Sequence, residues 1–333
     1  MKRVLPVILA FSGIGTAAVQ SQYLPPPGAL REVYESNIKY LRGSWNRVLY
    51  DVVAEPKLTD IDDATLLGLV YEPNEVPGMV ASPPLVDDPT QPDRHHTTIV
   101  VTNRYGRIQR VYCTTASLEA VTDAQGKPHR RFRDSMLIEI YAYNSSEEAH
   151  SAASEWSGGS YQRLGKLVSG SRLGEVHWTR LLSHGRYDVV FVAGRVVTRL
   201  EWHRRGEAAS PEKTQAMAWG VLYRLLHQPK LVSGRLPTAQ RDGTAELNGV
   251  KVAPIKQLES SGVRIENQQT EGSWKVQVTW GQRWVELAAF SWEMKTWDGR
   301  TVRLSRPAFP YKRQLVAPLD EVRKALGLTV QAQ

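Results

Sequence analysis

The chain lacks most of the features that would assign it to a known chemistry. Its 333 residues include one cysteine, Cys113, so no disulfide can form within the chain and packing must hold the fold together. A lone cysteine in a strand-like run is usually a small core residue. No Gly-x-Ser-x-Gly elbow, phosphate-binding loop or dinucleotide-binding glycine pattern occurs. We therefore predict no catalytic residue, no cofactor and no enzymatic activity.

Long apolar runs are equally scarce, and the one at the N-terminus is short. Lys2-Arg3 precede an apolar run at positions 4–11, and small residues follow to Ala18. This order is typical of a secretory signal peptide. Pro6 argues against an uncleaved anchor, as does the length of the run, since a spanning helix needs roughly 20 apolar residues. We expect residues 1–21 to be removed and the mature protein to be extracytoplasmic, secreted or periplasmic, without a transmembrane segment.

The composition is that of a folded protein with a basic surface. Hydrophobic residues make up 41% and charged residues 23% of the chain, and the formal net charge is +8. A positive charge favours loose attraction to anionic polymers, although a basic surface that binds no partner would give the same net charge. Because the expected address is outside the cytoplasm, the expected partner is a cell-wall polymer or another envelope protein, and not nucleic acid.

Changes in pattern divide the mature chain into four parts. Residues 22–94 show apolar positions at helical spacing and then a proline-rich loop, which predicts a helical N-terminal segment. Residues 95–230 are predicted to form a middle domain, and residues 245–333 a small C-terminal α+β domain of hairpins and short helices. Residues 231–244 carry glycine and proline without periodicity. We expect a linker there that few contacts cross, joining two units that fold separately.

The middle domain is organised around one hairpin and the helix that follows it. Two apolar runs within residues 187–202 fold about Ala193-Gly194, and Ser210-Pro211 is a strong helix start. A capping box at Ser145 and Glu148 predicts a second helix. The expected fold class is α+β, with an antiparallel sheet that carries its helices on one face and is wet on the other.

All eight histidines lie within residues 95–230, so any metal site would be in the middle domain. His177, Glu201 and His203 are the candidates, because two histidines and one carboxylate on the wet face of a sheet could ligate an ion. Such residues are far more often surface polar groups, so we predict no metal site. An extracytoplasmic hydrolase or metal-dependent enzyme that uses these histidines is the alternative.

The C-terminal domain carries an Asn-Gly hairpin, a short helix that follows Ala-Pro and ends at Gly, used twice, and a Trp-Asp-Gly turn. These features are Leu247-Asn248-Gly249, residues 253–262, residues 317–327, and Trp297-Asp298-Gly299. From about Ala245 to Val330 the segment resembles the copper amine oxidase N-terminal domain-like family of bacterial exported proteins. The resemblance implies a small α+β stalk or binding module without amine oxidase chemistry. No His or Cys follows His227, so the imidazole and thiolate ligands that copper prefers are missing.

Five of the ten tryptophans crowd this C-terminal domain: Trp274, Trp280, Trp284, Trp292 and Trp297. Burial in a small core is the ordinary role of such residues. The functional alternative is a platform for carbohydrate or peptidoglycan, since flat indole faces stack on sugar rings. We therefore expect an exported, non-enzymatic binding or scaffold protein of the cell envelope, with its ligand and oligomeric state left open.

Overall fold

The computed structural model describes residues 47–53, 61–62, 65–66, 68–71, 75–76, 96–105, 108–122, 124–159, 173–181, 187–204, 210–232, 236–270 and 273–328. These residues form helices and two sheets of mainly antiparallel strands, so the α+β class is confirmed. The expected signal peptide and its cleavage region lie outside the described residues.

The first sheet has seven strands in the order β1-β2-β3-β4-β7-β6-β5. Their bounds are β1 Arg47–Val53, β2 His96–Tyr105, β3 Ile108–Thr122, β4 Pro128–Ala142, β5 Val176–Leu181, β6 Tyr187–Ala193 and β7 Val196–Arg204. All neighbours are antiparallel except β1, which runs parallel to β2. The prediction of helix across β1 is therefore wrong. Apolar residues at helical spacing around Val48 and Leu49 also suit a short strand when a partner strand is available.

Two helices pack on this sheet, and both begin as predicted. Helix α1 spans Ser146–Gly159, with the Glu148 amide donating to the Ser145 hydroxyl over 3.1 Å. Helix α2 spans Pro211–Leu226, with Ser210 as its N-cap. The two helices lie on opposite faces, because α1 packs on Val190, Val192 and Val197 while α2 packs on alternate residues of the same strands. The expectation of helices on one face only is corrected, and the face predicted to be wet is partly covered by α1.

The second sheet has eight strands in the order β10-β11-β12-β13-β14-β15-β9-β8. Their bounds are β8 Ala245–Leu247, β9 Val250–Pro254, β10 Arg264–Thr270, β11 Ser273–Trp280, β12 Arg283–Ala288, β13 Ser291–Thr296, β14 Thr301–Tyr311 and β15 Gln314–Ala317. A short helix α3 (Pro229–Val232) precedes the sheet, a 3-10 helix (Ile255–Ser261) follows β9, and helix α4 (Leu319–Leu326) ends the described chain.

The internal repeat seen in the sequence is a structural repeat. The 3-10 helix ends at Gly262 and α4 ends at Gly327, and both glycines adopt the left-handed conformation. Strands β9 and β15 are antiparallel neighbours, and Ala253 of one copy pairs with Ala317 of the other. Equivalent residues that pair in antiparallel strands are related by a local two-fold axis, so the two copies meet about such an axis in the sheet.

Helix α2 joins the two sheets through a shared core. Residues 214–226 of α2 are all buried, so the helix is covered both on the side that faces the first sheet and on the side that faces away from it. Phe309 and Trp292 of the second sheet belong to the same apolar cluster as Trp219 of α2, and Leu231 of the expected linker is buried with them. The prediction that few contacts cross between two separate units is therefore wrong. An amphipathic pattern does not reveal that a helix is covered on both sides.

Candidate ligand-binding surface of the C-terminal sheet

The structure does not bring the predicted metal ligands together. His177 pairs with Phe191, which pairs with Thr198, whereas Glu201 pairs with Asp188. Directly paired residues share a face and successive residues alternate, so His177 lies on the α2 face and Glu201 on the α1 face. The expectation of one shared face is therefore corrected, and the side chain of His203 is outside the described part. Among the side chains that the structure describes, no group of His, Cys, Asp and Glu could hold a metal ion.

Glu201 belongs instead to a network of ion pairs on the α1 face. The guanidinium of Arg199 contacts three carboxylates, those of Glu139 at 2.8 Å, Asp188 at 3.2 Å and Glu201 at 3.2 Å. All three acidic side chains are buried. Buried carboxylates require such compensation, because an isolated buried charge is very costly. This arrangement accounts for the polar residues that alternate along β7.

The five tryptophans of the C-terminal domain divide into a buried and an exposed group. Trp274 and Trp292 are 5% and 2% exposed and belong to the two apolar cores. Trp284 is half-buried. Trp280 and Trp297 are 40% and 45% exposed, the large apolar side chains most open to solvent among the described residues. Exposed apolar side chains that cluster mark binding surfaces.

The exposed tryptophans lie near the same end of the second sheet, where strand alternation places Trp280 and Arg283 on the core face and Trp284 on the opposite face. Trp280 ends β11 and pairs with Arg283, the first residue of β12. Trp297 follows β13, and its amide donates to the carbonyl of Trp284 over 2.9 Å. The Arg283 guanidinium lies 5.7 Å from the centre of the Trp297 ring, within cation–π range. We call Trp280, Arg283, Trp284 and Trp297 the aromatic tip.

A tight turn holds Trp297 in place. The carboxylate of Asp298 accepts from the Thr296 hydroxyl at 2.6 Å and pairs with Arg300 at 2.6 Å. These hydrogen bonds lower the pKa of Asp298 to about 2, with the Arg300 guanidinium as the main cause. Gly299 supplies the positive φ, 80°, that the turn needs. An aromatic residue on a turn that is fixed on both sides loses little freedom on binding.

Helix α4 positions the cation of the aromatic tip. The Arg283 guanidinium donates to the carbonyl of Leu326, the last residue of α4, over 3.4 Å. A cation is favoured at that end because the carbonyls there are unpaired. Gly327 leaves the space that the guanidinium fills, and a side chain at this position would collide with Arg283. The second copy of the sequence repeat therefore has two roles, ending a helix and placing Arg283.

The sequence shows five tryptophans in this domain, but it does not indicate that Trp280 and Trp297 are exposed. Strand alternation places Trp274, Val276, Val278 and Trp280 on one face, and only the first three are buried. Trp280 is exposed because β11 extends beyond the core at this end. Arg283 is one of several basic residues between these tryptophans in the sequence, and nothing there singles it out, because its proximity to Trp297 depends on the pairing of β12 with β13.

No protein-family model, curated protein or solved structure matches this chain. The resemblance to the copper amine oxidase N-terminal domain-like family therefore stays an expectation from sequence motifs. Within the described residues, no helix combines the length and apolar character that crossing a bilayer requires.

Proposed function

We propose that this protein is an exported, non-enzymatic binding protein of the cell envelope, whose aromatic tip binds a glycan polymer of the cell wall. The observation that carries the proposal is the exposure of Trp280 and Trp297, 40% and 45%, at one end of the sheet, where Arg283 pairs with Trp280 across the strands and lies 5.7 Å from the Trp297 ring. Indole faces suit the apolar faces of sugar rings, and a guanidinium suits hydroxyl and anionic groups. The positive net charge of the chain would assist approach to an anionic wall.

The expected address supports a wall polymer over a soluble metabolite. Lys2-Arg3 and the apolar run after them predict export, and the C-terminal domain resembles modules of exported proteins. Exposed aromatic side chains at the end of a sheet suit an extended polymer, whereas small molecules are usually held in enclosed pockets. The ion-paired state of Glu201 gives no support to the hydrolase alternative.

Binding to insoluble wall polymer tests the proposal directly. Each exposed indole offers roughly 100 Å² for burial, which corresponds to about 2.5 kcal/mol before the costs of association. Trp297→Ala and Trp280→Ala should each weaken binding about tenfold, which is about 1.4 kcal/mol, and Trp297→Phe should retain most of it. The measurement is co-sedimentation of the mature protein with purified peptidoglycan over a range of protein concentrations.

Glu246→Gln is the matched control, because Glu246 is exposed on β8 at the far edge of the same sheet. It should bind as the unmodified protein does. Unchanged sedimentation of the Trp280→Ala, Trp297→Ala double variant, with its fold intact by circular dichroism, would exclude the aromatic tip as the binding surface.

Export is tested separately. The mature chain is predicted to begin between Val19 and Tyr23, at the small-residue exit of the signal peptide. N-terminal sequencing of the protein recovered from an exporting bacterial host gives the answer. Recovery of intact Met1 in the soluble cytoplasmic fraction would overturn the proposed address.

A further inference from the structure

A second candidate site lies at the other end of β11 from the aromatic tip. Asn267, Gln269, Trp274 and Arg313 line an open groove of about 460 Å³, which we call the edge groove. Trp274 and Trp280 are six residues apart on one strand, so the two places are on the order of 20 Å apart. The volume lies in the range of small-ligand sites.

The amides of the edge groove occupy positions where strand pairing favours apolar side chains. Asn267 pairs with Val276 and Gln269 with Trp274, and both partners are buried in the core. Paired residues share a face, so the two amides lie on the core side of the edge strand β10. Positions that break the local pattern in this way are concentrated at functional sites.

The hairpin turn that carries Arg313 contains residue types that are disfavoured in this kind of turn. Lys312 and Arg313 have φ of 47° and 62°, the left-handed region that L-residues with a Cβ avoid. The β8–β9 hairpin of the same sheet uses Asn248-Gly249 for its equivalent turn, which is the favoured pair. Strained backbone persists where the surrounding structure or the function requires the side chain. Within the described part of the chain, Arg313 forms no hydrogen bond or ion pair.

We propose that the edge groove binds a carboxylate-bearing sugar through Arg313. A guanidinium takes a carboxylate in a bidentate pair. The amides of Asn267 and Gln269 both donate and accept, which suits hydroxyl and acetamido groups. Only an edge of the Trp274 indole reaches the groove, because this side chain is 5% exposed, and that edge forms its apolar floor. This site is independent of the aromatic tip, and it distinguishes acidic from neutral sugars.

The test compares an acid with its ester. The mature protein is titrated calorimetrically with a disaccharide of glucuronic acid and N-acetylglucosamine, and with the methyl ester of the same disaccharide. The ester and the Arg313→Gln variant should each raise the Kd about tenfold or more, and Arg313→Lys should recover part of the loss. Lys312→Gln is the matched control, since this exposed residue shares the turn but does not line the groove.

Arg313→Gly separates binding from folding. Glycine accepts the left-handed conformation, so this variant should unfold at a temperature about 2 °C higher while binding of the acid is lost. Equal binding of acid and ester, or binding that survives Arg313→Gly, would overturn the proposal. Tight binding of an extended neutral peptide that Arg313→Gly leaves unchanged would assign the groove to strand addition along β10 instead, and would also overturn it. The Trp280→Ala, Trp297→Ala variant reports on the aromatic tip and the Arg313 variants report on the edge groove, so the two proposals fail separately.

Discussion

The ion pair between Arg224 and Glu75 should be the most sensitive polar contact of the shared core. Their charged atoms are 2.7 Å apart, and the two side chains are 3% and 2% exposed. The Arg224 guanidinium also donates to the carbonyl of Pro310 over 2.9 Å and lies 4.1 Å from the centre of the Tyr71 ring. It therefore links helix α2 to the second sheet and to the segment between β1 and β2.

The expected effect follows from burial. Glu75→Gln removes the negative charge that faces the buried Arg224 guanidinium, and Arg224→Met removes the guanidinium that faces the buried Glu75 carboxylate. Removing one partner of a buried pair costs about 3–5 kcal/mol. The double variant removes both charges and should lose less than the two single losses added together, with a coupling of at least about 2 kcal/mol. Arg264–Glu266 is the matched exposed pair, 2.8 Å apart, and Arg264→Met should cost under about 1 kcal/mol.

Denaturant unfolding of the five proteins (the unmodified chain, the two single variants, the double variant and Arg264→Met), followed by tryptophan fluorescence and far-UV circular dichroism, measures these free energies. Coincident transitions by the two probes are required for a two-state analysis. Single losses below about 1 kcal/mol, or a double variant whose loss is additive, would refute the assignment of this pair to a dry shared core.

Three further predictions test the same core. Gly220→Ala should destabilise by about 1–3 kcal/mol in thermal unfolding despite its higher helix propensity, because the added Cβ would collide with the Tyr71 hydroxyl; a neutral or stabilising effect would contradict this packing. Burial, with Lys312 and Arg224 nearby, lowers the pKa of His227 below 6.5, so the unfolded chain binds its proton first. Stability should therefore be full above pH 6.5 and fall as the pH drops through the folded pKa, by at most about 1.4 kcal/mol per pH unit, and His227→Gln should flatten this slope in a pH series of denaturation curves. Residues 245–333 expressed alone should keep a cooperative transition, because Val276 and Val278 are buried in a core confined to that unit. Removal from α2 exposes Trp292 and Phe309, so the emission should shift to the red and the midpoint should fall; loss of cooperativity would show that this core is insufficient.

Several elements followed from local signals alone. The hairpin about Gly194, the capping box at Ser145 and the start of α2 at Ser210-Pro211 were predicted and are confirmed, because each depends on residues close in the sequence. The turns at Asn248-Gly249 and Asp298-Gly299 are confirmed for the same reason. Short helices that end at a left-handed glycine also follow from local backbone preference.

The wrong predictions share one physical cause. The residues of a strand or helix do not specify which other element packs against it. The sequence pattern predicts helix where β1 forms a strand, because the pairing of β1 with β2 joins residues distant in sequence. Charged residues that alternate along β7 predict a solvent-exposed face there, and the sequence does not show that α1 packs on the same face. His177 and Glu201 were placed together because the register that puts them on opposite faces is set by β6.

The sequence alone determined the α+β class, the order of hairpins and the enrichment of tryptophan in the C-terminal domain. Only the tertiary structure decided that Trp280 and Trp297 are exposed, and that Arg283 stands beside Trp297. Strand alternation assigns a residue to a face, but the extent of the core along the strand depends on what packs against it. Packing of this kind joins residues distant in sequence, and for that reason the candidate site emerges only in the folded chain.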